Sequence, residues 1–225
     1  LEQTNERLRK IDKTKTNFIQ ISAHELRTPL TLIMGYSQML EQDTQADPEL
    51  LKLARGILEG SERMTDVVES MLDVSRIDSN SLVLRKTTID IDAIIRKVKK
   101  RFTQALHERN IQMSVDGLNN LPQLSADPEL LQKAFHQLVM NAIKFTPDGG
   151  SVNVSGRYVN GDTEPKVEVI VADTGIGIEP GSTQVIFEKF NQPSDVLLHS
   201  SGKTKFKGGG QGLGLAIARG IVEAD

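Results

Sequence analysis

Along the first part of the chain the apolar positions form a narrow stripe. Leu1, Leu8, Ile11, Phe18 and Ile21 recur at spacings of three or seven, with charged flanks and no glycine before Gly35. That pattern predicts a helix with a coiled-coil seam over residues 1 to about 43. The polar stretch "EQDTQADPE" interrupts it. Pro48 suits the first turn of a new helix, with Asp47 as its N-cap. The second helix is predicted over about 48 to 76, where Leu50, Ile57, Met64 and Met71 fall on a seven-residue repeat. Leu53, Ala54, Val67, Val68 and Val74 fill the other half of the stripe. Two long helices joined by a short loop make a hairpin, and one hairpin cannot bury stripes this long. Two hairpins can, as a four-helix bundle, so a homodimer is expected. The alternative is a hairpin packed on the rest of its own chain.

After the linker "RIDSNSL" the periodicity changes. "LVLRKTTID" reads as a short strand, "IDAIIRKVKKRFTQALHERN" as one amphipathic helix and "IQMSVD" as a strand. Asp127-Pro128 opens a helix that runs through Phe145 and ends at "TPDGG". "SVNVSGRYV" and "KVEVIVAD" read as a strand pair, and "GGGQGLGLAIARGIVEAD" as a glycine-rich turn entering a helix. Strands and helices mixed in this order predict an α+β sandwich, with helices on one face of a sheet.

Composition narrows the function. The 225 residues leave room for one large domain or two modest ones. A formal charge of −3 lacks the basic excess of a nucleic-acid binder. With no cysteine there is no disulfide framework, thiolate nucleophile or cysteine-ligated zinc. No run of about 18 apolar residues spans a membrane, so no membrane contact is expected of this segment. A cytoplasmic location fits. Both ends read as interrupted helix, so the chain is expected to be a piece of a longer protein, whose anchoring this segment does not address.

Several short motifs carry candidate chemistry. In "ISAHELRTPL", His24 is followed at once by Glu25, then by Thr28 one helical turn on and by Pro29. "HQLVMNAIKF" places Gln137, Asn141 and Lys144 on one helical face. An amide carbonyl can ligate Mg²⁺ and a lysine can meet phosphate; the plain reading is a solvated polar edge. "DTGIG" ends an apolar strand with Asp173, where a buried carboxylate can accept from an exocyclic amine and glycines allow a close approach. The plain reading is a turn with an aspartate cap. "GGGQGLGLAIA" opens a helix with backbone N–H groups suited to phosphate, without the Gly-Lys-Ser/Thr of a Walker A loop.

Taken together and in this order, these stretches resemble the sensor histidine kinases of two-component signalling. "HELRTP" is similar to that family's H box, "NAIKFTPDGG" to its N box, and "DTGIGI" to its first glycine box. "FEKF" is similar to the F box and "GQGLGLAI" to the second glycine box. The resemblance covers nearly the whole chain. It implies residues 1–78 as a dimerisation and histidine phosphoacceptor hairpin, and residues 79–225 as an ATP-binding α/β sandwich truncated at its C-terminus. It implies ATP and Mg²⁺ as cofactors, a homodimer, and the receiver domain of a response regulator as partner.

Residue by residue, the resemblance implies that His24 takes the γ-phosphoryl group, solvent-facing on the first helix. Glu25 accepts or orients the imidazole proton, and Thr28 positions a water that dephosphorylates the regulator, with Arg27 assisting by charge. Pro29 bends the helix. Asn141 becomes the Mg²⁺ ligand, Lys144 a phosphate contact and Phe145 a neighbour of the adenosine. Asp173 accepts from the adenine amino group, Gly175 and Gly177 allow close approach, and Ile178 walls the base. Gly212, Leu213 and Gly214 present backbone N–H groups to the phosphates. "NQPSDVLLHSSGKTKFKGGG" reads as a lid anchored by packing of Phe187 and Phe190, with Lys203, Lys205 and Lys207 either reaching the triphosphate or simply solvated.

The chain departs from the family pattern at Gln137, where many relatives carry asparagine, and at Gln211, where threonine or serine is common. His107, His136 and His199 fit no motif and read as structural or surface residues. Two other functions remain open: an ATPase of the DNA gyrase or heat-shock chaperone type, against which the H box and hairpin speak, and a non-catalytic dimeric scaffold, which Gln137 keeps open.

Overall fold

The computed structural model of the chain describes residues 19, 23, 25–42, 47–159, 166–183, 185–190, 204–206 and 212–225. The chain divides into two compact units, Leu1–Leu82 and Val83–Asp225.

The first unit is a helical hairpin. Helix α1 covers 25–41 and runs through Pro29; helix α2 is Pro48–Asp78. Asp47 caps α2 by accepting from the Glu49 N–H (2.8 Å), with Pro48 at the position where a missing N–H costs nothing. Each helix carries two heptad stripes. Ala23, Leu30 and Ser37 on the first helix and Ala54, Ser61, Val68, Leu72, Asp73 and Ser75 on α2 are buried, and Ala23 packs with Val68 and Leu72. The Thr65 hydroxyl meets the Met34 sulfur (3.8 Å) and Arg55 pairs with Glu41 (2.8 Å) across the hairpin. The second stripe stays open: Leu50, Ile57, Met64 and Met71 are 41–52% exposed, as are Leu26 and Ile33 at 43%. α2 ends in a Schellman cap. Asn80 takes a left-handed φ of 48°, the Ser81 N–H donates to Arg76 carbonyl (2.9 Å) and the Asn80 N–H to Ile77 (3.1 Å).

The second unit is an α+β sandwich, as the mixed order of elements predicted. A small antiparallel pair joins β1 (Thr87–Ile89) to β3 (Leu124–Ala126). The main sheet has the order β2 (Gln112–Asp116), β4 (Ser151–Val159), β5 (Lys166–Asp173). β4 and β5 form the expected antiparallel pair, while β2 lies parallel to β4. α5 (Pro128–Phe145) lies in the connection between β2 and β4. Met113, Val152 and Val154 point to one face, where they pack with Ile94, Ile95 and Val98 of α3 (Ile91–Arg101) and Phe135, Val139 and Ile143 of α5. Helix α6 (Gly214–Ala224) lies against α5 and buries Ile217, Ala218 and Ile221. No helix among the described residues is long and apolar enough to cross a membrane.

One expectation needs correction. The single helix over 91–110 is broken at Phe102 (φ −100°, ψ 5°), so that α4 (Thr103–Glu108) is separate. Phe102 is fully buried and its ring stacks on His136 of α5 at 4.8 Å, a tertiary contact that outweighs helical continuity. The pairing of Leu124–Ala126 with β1 has no pattern in sequence, because three residues are too few to show a period of two.

Candidate functional site

The motif residues of the second unit gather around one helix. α5 starts from Asp127, whose Oδ1 accepts from the Glu129 and Leu130 N–H groups (3.0 Å each) and whose Oδ2 accepts from the Arg85 N–H (2.7 Å). Burial alone would raise the Asp127 pKa, but these three donors and the Arg85 charge outweigh it and hold the carboxyl below its ordinary value. The other end of α5 closes on Thr146, fully buried, whose hydroxyl donates to Ala142 carbonyl (2.7 Å).

The "DTGIG" turn docks on that C-terminal end. The Ile176 N–H donates to the Phe145 carbonyl at 3.2 Å, and the Thr174 N–H donates to Ser151 at 3.0 Å. Gly175 is required by this approach: a Cβ there would lie 2.6 Å from the Phe145 carbonyl oxygen and 2.5 Å from Asp173 Oδ1. Asp173 pairs with Val152 in register, at the end of the strand face that packs on the helices. It is exposed, contrary to the buried carboxylate expected, because it lies past the last packed strand residues and its Oδ1 turns back to accept the Gly175 N–H (2.8 Å). The aspartate-capped turn of the plain reading is therefore present. Beyond it Gly177 holds a left-handed φ of 73°, and Ile176 and Ile178 are 52% and 56% exposed, apolar surface unusual for a turn.

The second glycine segment meets the middle of α5. Gly214 opens α6, and a Cβ on it would come within 2.7 Å of Gln137 Oε1. The departure from asparagine at 137 is thus filled by contact with the helix start rather than by solvent. Leu213 is 2% exposed, so its side chain anchors the loop in the core. Gly212 (φ 67°) accepts the Phe190 N–H at 2.9 Å. Phe190 is 64% exposed with φ 61°, so it holds this junction through its backbone and not by the ring packing expected; Phe187 is half-buried.

Between these docking points lies the polar row. Gln137, Asn141 and Phe145 follow at steps of one turn, so Asn141 shares the α5 face that both glycine segments touch. Asn141 is half-buried. Lys144, expected to be a phosphate contact or a solvated edge residue, is only 8% exposed, with its ammonium 4.9 Å from the centre of the Phe145 ring. Burial pushes its pKa down, and none of the ion pairs among the described residues involves it. A cationic group so placed is stabilised by an anion entering beside it.

In the hairpin, Glu25, Arg27, Thr28 and Pro29 are all exposed on α1, and the Thr31 hydroxyl donates to Arg27 carbonyl (2.9 Å). His24, Lys203, Lys207, Gln211, His199 and most of the expected lid lie outside the described residues. Lys205 is exposed, as is His107. The residue that the sequence reading missed is Arg109, buried beside the end of α5; a single arginine before a strand carries no motif.

Known proteins with this arrangement are numerous. The His Kinase A (phospho-acceptor) domain family matches residues 14–80. The histidine kinase-, DNA gyrase B- and HSP90-like ATPase family matches residues 126–225. The chain is 28% identical over 218 residues to hybrid signal transduction histidine kinase D of Dictyostelium discoideum, an alignment that covers 96% of this chain and 14% of that protein. It is 27% identical over 213 residues to the sensor-like histidine kinase SenX3 of Mycobacterium tuberculosis (strain ATCC 25618 / H37Rv), covering 95% and 49% respectively. The crystal structure of full-length ShkA in complex with AMPPNP matches with a TM-score of 0.74 at 28% identity, over 92% of this chain and 41% of that one. The chain thus spans at most about half the length of these relatives.

Proposed function

We propose that this chain, which belongs to the sensor histidine kinases, transfers the γ-phosphoryl group of ATP to its own His24 and passes it to an aspartate of a response regulator. The observation that carries this reading is the use of α5 as a common rail. One face of it takes the Asp173–Gly177 turn at Phe145 and the Gly212–Gly214 loop at Gln137, with Asn141 between them. A nucleotide laid along that face would meet Asp173 and Ile178 with its base and Asn141, Lys144 and the start of α6 with its phosphates.

The chemistry asked of each residue is modest. A neutral ring nitrogen of His24 attacks the γ-phosphorus, the bond to the ADP oxygen breaks, and Glu25 takes the imidazole proton. Lys144 meets the triphosphate with a charge already stripped of water. The amide oxygen of Asn141 suits Mg²⁺: no cluster of His, Asp or Glu that could cage a metal exists among the described residues, and Mg²⁺ is commonly held by one or two protein oxygens with the phosphates supplying the rest. When bound, Mg²⁺ neutralises charge on the β- and γ-phosphates. Asp173 selects adenine by accepting from its amino group. Thr28, four residues after His24 in sequence and exposed, would position the water that dephosphorylates the regulator.

The open stripe of Leu50, Ile57, Met64 and Met71 supports a homodimer in which two hairpins form a four-helix bundle. A cytoplasmic position, where ATP and receiver domains are found, follows from the same reading. The test is incubation with γ-labelled ATP and Mg²⁺ beside His24→Gln. Label on the wild type alone, stable to base and lost in acid, is expected. Label that survives in His24→Gln, or ADP release without phosphoprotein, would overturn the assignment.

A further inference from the structure

Arg109 lies in the turn between α4 and β2, far in sequence from every motif above, and is 8% exposed. Its guanidinium spends every nitrogen on four groups. Nε donates to Asp148 Oδ1 (2.8 Å), Nη2 to the Thr146 carbonyl (2.6 Å), and Nη1 to the carbonyls of Ile143 (2.5 Å) and Thr204 (2.8 Å). The Phe206 ring centre is 5.9 Å from its Cζ, within cation–π range. The Arg109 carbonyl accepts the Gly149 N–H (3.1 Å).

Ile143 and Thr146 sit in and just past the last turn of α5, where helix carbonyls lack internal donors and the dipole is negative. Asp148, the one carboxylate, is 71% exposed at its side chain and contributes little. The buried charge is therefore held mainly by the end of the helix that carries Asn141 and Lys144. The same guanidinium grips Thr204 and Phe206, which stand just ahead of the Gly212–Gly214 loop in sequence. A lysine has neither the fork nor the planar face to serve both sides.

We infer that Arg109 is a positioning residue for the nucleotide: it locks the final turn of α5 to the Thr204–Phe206 segment, so that Lys144 keeps one geometry. This rests on the ATP-binding reading of the site. The effect of Arg109 on affinity is expected to travel through Phe206 and not through Asp148.

The test measures Mg–ATP affinity and melting temperature in the full chain for four variants. Phe206→Ala, a substitution at a partly exposed ring, should weaken Mg–ATP by about fivefold with melting unchanged, the loss expected of one cation–π contact. Arg109→Lys should weaken it by about tenfold or more. The double variant should be no weaker than Arg109→Lys alone, since both remove one coupling. Asp148→Asn should stay within about twofold of wild type. Additive losses, a Phe206→Ala chain that binds as wild type does, or affinities that only follow melting temperature would overturn the inference. Failure of the wild type itself to bind Mg–ATP would instead overturn the nucleotide reading on which it rests.

Discussion

At the scale of single residues, Lys144 is the group whose environment says most about the site. It follows a polar asparagine by three positions and precedes an aromatic, a pattern equally suited to a wet helix edge. The fold instead buries it beside Phe145. Its pKa is lowered by burial, so between that lowered value and the ordinary lysine value the unfolded chain carries a proton that the folded chain lacks. Stability in the absence of nucleotide therefore rises with pH through this window. Binding of a phosphate has the opposite sign, because an anion favours the protonated form. Mg–ATP affinity should fall as alkaline pH takes the proton from Lys144, and titration calorimetry at rising pH below the ordinary lysine value should record proton uptake on binding. Lys144→Met should remove the uptake and weaken binding at neutral pH by about ten- to a hundredfold. An unchanged pH profile in that variant would show that the ammonium does not meet phosphate.

At the scale of elements, α5 organises the second unit, and its start matters as much as the face that carries Gln137 and Asn141. Asp127 satisfies two N–H groups of the first turn and the Arg85 N–H that leads into β1. Asp127→Ala leaves all three without this acceptor and should cost about 2–3 kcal/mol in urea denaturation at neutral pH. The folded-state pKa of Asp127 is depressed, so its contribution is fully present above the ordinary carboxylate range and is lost as pH falls through the depressed value. The gap between wild type and Asp127→Ala should accordingly close in strong acid, and a gap independent of pH would refute the charge-based account. The cap was readable in sequence as Asp-Pro ahead of an apolar run. The break of α3 from α4 was not, because nothing local distinguishes Phe102 from other apolar positions of that stripe; its partner His136 is contributed by α5.

At the scale of the whole molecule, the hairpin carries two parallel heptad registers and closes only one. Ala54, Ser61, Val68 and Ser75 are small or medium residues that let α1 come close, whereas Leu50, Ile57, Met64 and Met71 are larger and remain open. Ile57→Glu would put two carboxylates in the core of a symmetric bundle. Each buried aliphatic side chain of this size is worth about 1.5–3 kcal/mol, and both copies lose it, so the dimer should weaken by at least about a hundredfold in sedimentation equilibrium. Secondary structure should persist, since the closed stripe is untouched. A variant that sediments as the wild type does would place the open stripe against something other than a second copy.

The sequence by itself determined α2 and α5 with their Asp-Pro caps and the β4–β5 pair, and it marked the glycine turns and polar row as candidates for one chemistry. Those features are local: period, cap chemistry and glycine spacing act within a few residues of each other. What only the tertiary structure decided are matters of distant approach. They include the burial of Lys144, the exposure of Asp173, the approach of Gln137 to Gly214, and the hydrogen bonds of Arg109. Each depends on which segments meet across the sandwich, and burial, desolvation and hydrogen-bond partners are properties of that meeting rather than of the residue. Arg109 has the same guanidinium in any arginine-rich helix end. It becomes a fastening only where the carbonyls of Ile143, Thr146 and Thr204 converge on it.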